Sequence, residues 1–183
     1  MQTQITQVIT LNHTQHAAAI LDILNEAIVN STALYDYVPR PLSSMDAWFA
    51  TKAAGNAAVG AFPVLGLLND AGELLGFASY GTFRNYPAFK YSMEHSVYIH
   101  KSHRACGYAG VLMQALQAHA EAQGVHVLVG AIDAQNAASI ALHEKLGFKH
   151  SGTIAQAGFK FGRWLDLVFY QKTLGTPEKP IDG

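Results

Sequence analysis

The chain has 183 residues, 50% of them hydrophobic, which is enough for one domain with a substantial core and short for two. Its 12 Lys and Arg against 13 Asp and Glu leave a net charge of −1, so no field draws in nucleic acid or an anionic membrane, and a small uncharged or zwitterionic partner is expected. The single cysteine excludes an intrachain disulfide, no apolar run approaches a membrane span, and Met1-Gln2-Thr3-Gln4-Ile5 lacks the regions of a signal peptide, so a soluble cytoplasmic protein is expected.

Ile5 to Ile9 alternates apolar and polar residues as a short strand does. Ala17, Ile20, Leu21, Leu24 and Ile28 recur at helical spacing and predict a helix over Thr14 to Asn30. Ser31 to Pro41, with Tyr35, Tyr37, Pro39 and Pro41, follows neither period and reads as an aromatic loop of the kind that lines pockets. A helix from Ser44 to Ala53 follows, with Ser43 or Ser44 as its cap. Strands at Phe62 to Leu68 and Glu73 to Phe83 flank the turn Asn69-Asp70-Ala71-Gly72 and form an antiparallel hairpin. The strand Glu94 to Ile99 puts Glu94, Ser96 and Tyr98 on one face and His95, Val97 and Ile99 on the other. Then come a helix from about Gly107 to Gln123, a strand at His126 to Ile132, a helix between Asn136 and Gly147, and strands near His150 to Ala157 and Arg163 to Lys172. Residues 1–174 thus form one domain and 175–183 a loose tail. Antiparallel strands first and a strand-helix-strand crossover later predict an α/β (α+β) fold: a mixed, mostly antiparallel twisted sheet of about seven strands with helices on both faces.

The turn into the second long helix reads His100-Lys101-Ser102-His103-Arg104-Ala105-Cys106-Gly107-Tyr108-Ala109-Gly110-Val111-Leu112, matching Arg-x-x-Gly-x-Gly/Ala. A helix opening here presents unpaired N–H groups at the positive end of its dipole, which suits an anion. Small residues at Ala105, Gly107, Ala109 and Gly110 let phosphate oxygens approach, and Arg104 adds a fixed charge, so a pyrophosphate-bearing cofactor is expected. The turn lacks the Gly-Lys-Ser/Thr ending of a P-loop and, with only Gly107 and Gly110, the Gly-x-Gly-x-x-Gly of a dinucleotide fold. The competing reading is a plain glycine-bearing connection.

A second block, Asn136-Ala137-Ala138-Ser139-Ile140-Ala141-Leu142-His143-Glu144-Lys145-Leu146-Gly147-Phe148, reads as a helix capped by Asn136 and stopped by Gly147. Helical spacing lines Asn136, Ser139 and His143 along one face. Simple capping competes as an account of Asn136 and Ser139, and a satisfied core histidine as one of His143. The two blocks resemble motifs A and B of the GNAT superfamily of acetyl-CoA-dependent N-acyltransferases. Ala157-Gly158-Phe159-Lys160-Phe161-Gly162-Arg163-Trp164-Leu165-Asp166 and Glu94-His95-Ser96-Val97-Tyr98 look like the branch acting on phosphinothricin and methionine sulfoximine or sulfone, and the similarity runs from about Thr14 to Leu174. Ala105 and Ala109 stand where motif A usually has glycine, and Cys106 where a basic residue is common.

The resemblance implies a GNAT fold and acetyl-CoA held by Val97, Tyr98, Ile99, the turn Arg104, Ala105, Cys106, Gly107, Tyr108, Ala109 and Gly110, and by Asn136 and Ser139. It implies Glu94 as general base, working through water, on the α-amino group of a small amino acid analogue, and His143 as the acid for the departing thiolate. Main-chain N–H groups near Val97 and Tyr98 would meet the thioester carbonyl if that strand splays from its neighbour. Arg84, with Asn85, Tyr86 and His95, would bind the acceptor, and a homodimer would form around Phe159 to Tyr170. A solvent-facing carboxylate and a solvated loop arginine are the rival accounts of Glu94 and Arg84. Two other functions compete: an acyl-CoA-binding sensor without catalysis, and an acetyltransferase of protein N-termini. Cys106, in the pyrophosphate turn, is read as a bystander, and no metal is expected because His143-Glu144-Lys145-Leu146-Gly147 lacks the last ligand of His-Glu-x-x-His.

Overall fold

The structure, a computed structural model, describes residues 5–182. Strand β1 (Ile5–Thr10) leads to Asn12, whose side chain accepts a hydrogen bond from the Gln15 N–H at 2.9 Å and so starts helix α1 (His13–Asn30). Ile20, Leu24 and Ile28 recur along α1 and are buried, each contributing roughly 1.5–3 kcal/mol of apolar burial. Helix α2 (Ser44–Ala54) follows, but its expected cap is not made: Ser43 offers no side-chain bond, and the Ser44 hydroxyl donates backward to the Pro41 carbonyl.

Strands β2 (Val64–Asn69) and β3 (Leu74–Thr82) form the expected hairpin, with the Asn69 side chain accepting from the N–H groups of Ala71 and Glu73. Strand β4 (Ser92–Ile99), helix α3 (Tyr108–Ala122) and strand β5 (Val127–Asp133) make the crossover. Helix α4 (Ala137–Lys145), capped by Asn136, leads into the long hairpin of β6 (Lys149–Lys160) and β7 (Arg163–Thr173). Strand β6 runs beyond Ala157 because Phe161 and Gly162, with φ of 52° and 74°, form a tight turn of the kind that closes a two-residue hairpin.

The seven strands lie in the order β1-β2-β3-β4-β5-β7-β6, and β4 with β5 is the parallel pair. One face packs α1 and α2 over a cluster that includes Ile20, Leu24, Met45 and Phe77; the other packs α3 over Leu112, Leu116, Met93 and Leu128. In the segment after β7, the Thr176 hydroxyl donates to the Val125 carbonyl at 2.6 Å, and His126 Nδ1 lies 2.7 Å from the Thr176 carbonyl.

Replacing Asn12 by alanine removes the α1 cap and is expected to lower stability by about 1 kcal/mol, read as a melting temperature about 2–4 °C lower.

Candidate active site

Strands β4 and β5 pair only from Ser92↔Val127 to Glu94↔Val129. Beyond that point β4 stays laddered to β3 as far as Ile99, and β5 to β7 as far as Asp133, so each strand is held by its outer neighbour while the two diverge. The resulting V strips the facing main-chain groups of residues 95–99 and 130–133 of sheet partners, and buried main-chain groups require partners. An extended ligand that adds as a strand supplies them. A cavity of about 230 Å³ occupies the V, lined by His95, Ser96, Val97 and Tyr98 of β4, by residues 130–133 of β5, by Asn136, Ser139 and His143 around α4, and by Thr32 and Tyr35 of the α1–α2 loop. Both faces of β4 contribute, so the cleft passes through the sheet.

At the open end of the V stands the start of α3. Gly107 has φ of 82° and gives no side-chain cap, and a Cβ there would meet nothing within 4 Å, so the helix N-terminus faces open space. Ala105, at φ of 60°, holds a left-handed conformation that strains a non-glycine residue. This turn borders a second cavity of about 590 Å³ lined by Ile99, residues 104–110 and the flank of α4. Ala109, Ala138 and Leu142 border both cavities, which join them into one groove from the helix start to the apex of the V. Arg104 reaches back to the Ile99 carbonyl at 3.4 Å and pairs with Glu26 of α1.

Glu94 stands at the last rung of the β4–β5 ladder, on the same face as Ser96 and one pleat away from it, roughly 7 Å along the strand. Its side chain reaches solvent, yet the protein around it withdraws enough water to raise its pKa above the ordinary carboxylate value. The phenols of Tyr35 and Tyr98 are both pushed up to about 12, first by burial and then by neighbouring charges that include Glu94. Tyr35, Tyr98 and Glu94 therefore share one electrostatic neighbourhood.

The loop that carries Tyr35 is anchored at three points. Asp133 accepts from the Thr32 hydroxyl at 2.5 Å, from Arg163 at 2.6 Å and from the Gln135 N–H at 3.1 Å. Burial opposes its ionisation, but these bonds outweigh that and hold its carboxyl below the ordinary range. The Tyr37 hydroxyl donates to the Phe159 carbonyl at 2.7 Å. Lys160, only 4% exposed, donates to the carbonyls of Ile28, Ser31 and Leu34 at 2.7, 2.8 and 2.6 Å, so every ammonium proton is engaged at the negative end of α1.

On the opposite face, His143 is 3% exposed, with Nδ1 2.7 Å from the Ser139 carbonyl and Nε2 2.9 Å from His95 Nε2.

A model of the acetyltransferase (GNAT) family matches residues 25–148. An L-methionine sulfoximine/L-methionine sulfone acetyltransferase of Pseudomonas aeruginosa is 47% identical over 85% of this chain and 87% of its own length. Among solved structures, an Acinetobacter baylyi protein described as a candidate acetyltransferase superposes with a TM-score of 0.94 at 57% identity, covering 100% of each chain. A phosphinothricin acetyltransferase from Sinorhizobium meliloti in complex with acetyl-CoA gives 0.88 at 29% identity, over 97% of this chain and 94% of that one. The chain belongs to the GNAT acetyltransferase family. It is an N-acetyltransferase.

The residues expected from the sequence fall into three groups on this GNAT frame. Val97, Tyr98, Ala109, Asn136, Ser139 and His143 line the V, and Ile99, Arg104, Ala105, Cys106, Gly107, Tyr108 and Gly110 line its open end. The donors and the unmatched strand edges fit an acyl-CoA: the helix start suits the diphosphate, and the V suits an amide-bearing arm. Arg84, Asn85 and Tyr86 are exposed in the β3–β4 loop and border neither cavity. A carbonyl only accepts, so in the neutral ring of His143 the proton sits on Nδ1 facing Ser139. Thr32, Asp133, Arg163 and Lys160 were not singled out by sequence reading, although Asp133 could have been noticed at the carboxyl end of a parallel strand. Among the described residues no cluster of three metal-ligating side chains occurs, and no helix is long and apolar enough to cross a membrane.

Desolvation lowers the pKa of both imidazoles, with the neighbouring ring adding to the effect at His95 and the Ser139 bond opposing it at His143. In the unfolded chain both titrate near 6.5, so the stabilisation is whole above that pH and is lost as pH falls below it, at up to about 1.4 kcal/mol per pH unit for each ring. Urea unfolding at about pH 7.5, 6.5 and 5.5 should show this decline, and a variant replacing both histidines with apolar residues should flatten it.

Proposed function

We propose that this protein transfers the acetyl group of acetyl-CoA to the α-amino group of a small amino acid analogue, namely methionine sulfoximine, methionine sulfone or phosphinothricin, with Glu94 as general base. The parting of β4 and β5 immediately after Glu94 carries the reading, because a ligand arm laid in the V ends beside that carboxylate. The donor is held by the N–H groups at the start of α3, by the Arg104 to Gly110 turn, by the free strand edge at Val97, Tyr98 and Ile99, and by Asn136 and Ser139 near α4. Acetyl-CoA supplies an activated acyl group; the chain supplies position and a proton acceptor. Main-chain N–H groups of β4 past the ladder meet the carbonyl oxygen, where charge gathers. Glu94, its pKa raised by desolvation, is a better proton acceptor than a free carboxylate and takes the amine proton through water. The names of the relatives support the acceptor class, and the near-neutral chain is consistent with a zwitterion.

The acceptor would enter on the Glu94 face, between Tyr35 and Tyr98. Arg84, Asn85 and Tyr86, exposed in the β3–β4 loop, would meet its carboxylate, and His95 would stand behind the strand. The exposed Phe159, Phe161 and Trp164 of the β6–β7 hairpin support a homodimer across that edge, which sedimentation at micromolar concentration tests directly. The exposed lone thiol of Cys106 supports a reducing, cytoplasmic setting for the proposed reaction.

A thiol-release assay with acetyl-CoA and a panel of amino acids with their sulfone, sulfoximine and phosphinate analogues tests the reading. Release above background with at least one panel member is expected, whereas a sensor would release none. Glu94→Gln should lower kcat by about 10²-fold or more and remove the acid limb of the pH profile, while acetyl-CoA affinity stays unchanged. Equal turnover in that variant would dismiss Glu94 as the base.

A further inference from the structure

Arg104 leaves the turn ahead of α3 in an extended conformation, and its side chain is 49% exposed where it borders the larger cavity. Two groups hold its guanidinium along one edge. The Nε–H donates to the Ile99 carbonyl at 3.4 Å, and Nη2 donates to the Glu26 carboxylate of α1, 78 residues away in sequence. A guanidinium carries its N–H donors in a rigid planar fork, and Nε with Nη2 forms the lateral edge. Both N–H groups of Nη1 and the second of Nη2 are left over, and together they make the end-on edge, whose parallel donors match two oxygens of a phosphate.

Glu26 borders neither cavity, so it acts on the groove only through Arg104. Its place on α1 is fixed, because Ile23, Ala27 and Ile28 around it are buried in the core and Lys160 holds the end of the same helix. Its side chain is 18% exposed, and among the described residues it forms no other ion pair. A carboxylate so far withdrawn from water would lose its counter-charge if Arg104 swung away, which favours one direction for the arginine.

We propose that Glu26 is a positioning residue for the donor: it clamps the inner edge of Arg104 so that the outer edge is aimed at the diphosphate of acetyl-CoA. The inference rests on the acetyl-CoA reading above. Carboxylate and diphosphate address different edges of one guanidinium, so the clamp need not open when the donor arrives. A long, half-exposed side chain without a clamp would lose its rotamer freedom at the moment of binding, and the contact with α1 removes that cost beforehand. The negative charge of Glu26 works against an anion, but salt screens repulsion at a half-exposed site while leaving the tether intact, so the tether decides the sign. Helix α1 therefore braces both ends of the groove: its last turn carries the loop of Tyr35, and Glu26 steadies the arginine at the mouth.

The test is calorimetry on the full-length wild type, Glu26→Asp, Arg104→Ala and the double variant, with acetyl-CoA and with S-acetylpantetheine, which lacks the diphosphate. Aspartate keeps the charge but falls one methylene short of the arginine. Glu26→Asp should weaken acetyl-CoA by about 2- to 10-fold, the range for ordering one long side chain, while S-acetylpantetheine changes by less than about 2-fold. In the Arg104→Ala background the same substitution should have no further effect. Unchanged or tighter acetyl-CoA, equal losses for both donors, or a full loss without Arg104 overturns the proposal and leaves the acetyl-CoA reading intact. If the wild type does not bind acetyl-CoA, that reading fails and this inference with it. Where S-acetylpantetheine binds too weakly to measure, the cycle on acetyl-CoA alone decides. Should Glu26→Asp not fold, Glu26→Gln takes its place in the cycle: coupling to Arg104 above about 2-fold supports the clamp, and its absence overturns it.

Discussion

The separation of two parallel strands after Glu94↔Val129 is the constraint on which the other features depend. A parallel ladder normally runs the length of both strands, and opening one leaves buried main-chain groups without partners. The molecule tolerates this because each strand is tied on its outer side: β4 to β3 and β5 to the β6–β7 hairpin. The β5 neighbour is a later strand, β7, inserted between β5 and β6, so the chain must reach residue 173 before the far wall of the cleft is braced. The hairpin is therefore part of the site's architecture even where it touches no reacting atom.

The same hairpin controls the roof of the cleft. Lys160 sends its ammonium into three carbonyls around the end of α1, and Arg163 grips Asp133, which in turn holds Thr32. A buried ammonium is unfavourable unless fully bonded, and here each proton has an oxygen. The helix end that needs a cation and the lysine that needs acceptors satisfy one another, and the result is a fixed direction for the chain that carries Tyr35. A loop rich in aromatic residues thus behaves as a wall, although it contains no regular secondary structure.

Local chemistry explains what could be read from the sequence. Asn136 and Gly107 announce helix starts because their roles are satisfied within a few residues, and alternation along 94–99 assigns the two faces of β4 without any knowledge of the sheet. The anion turn and the polar stripe of α4 were legible for the same reason. What was not legible is whatever depends on distant pairing. The bond from Lys160 to Ile28 spans 132 residues, and no pattern near either residue reports it. At Arg84 a basic residue among aromatics suggests a carboxylate clamp, but sequence does not report that its loop is exposed and borders neither cavity. Helical spacing puts Asn136, Ser139 and His143 on one face of α4, and only the fold reveals that His143 meets both the Ser139 carbonyl and another histidine.

Strand β4 also divides the proton chemistry between its faces. Period-two alternation sends Glu94 to the side of Tyr35 and Tyr98 and sends His95 to the side of α4, so adjacent residues occupy environments that shift their ionisation differently. Desolvation raises the carboxyl and lowers the imidazole, so burial makes Glu94 a stronger proton acceptor while keeping His95 uncharged. In the proposed reaction a charged imidazole at the apex would repel the ammonium brought to Glu94; a neutral one would not. The apolar packing of Phe148 around the two rings therefore bears on the opposite face of the sheet, because it keeps positive charge away from the acceptor amine.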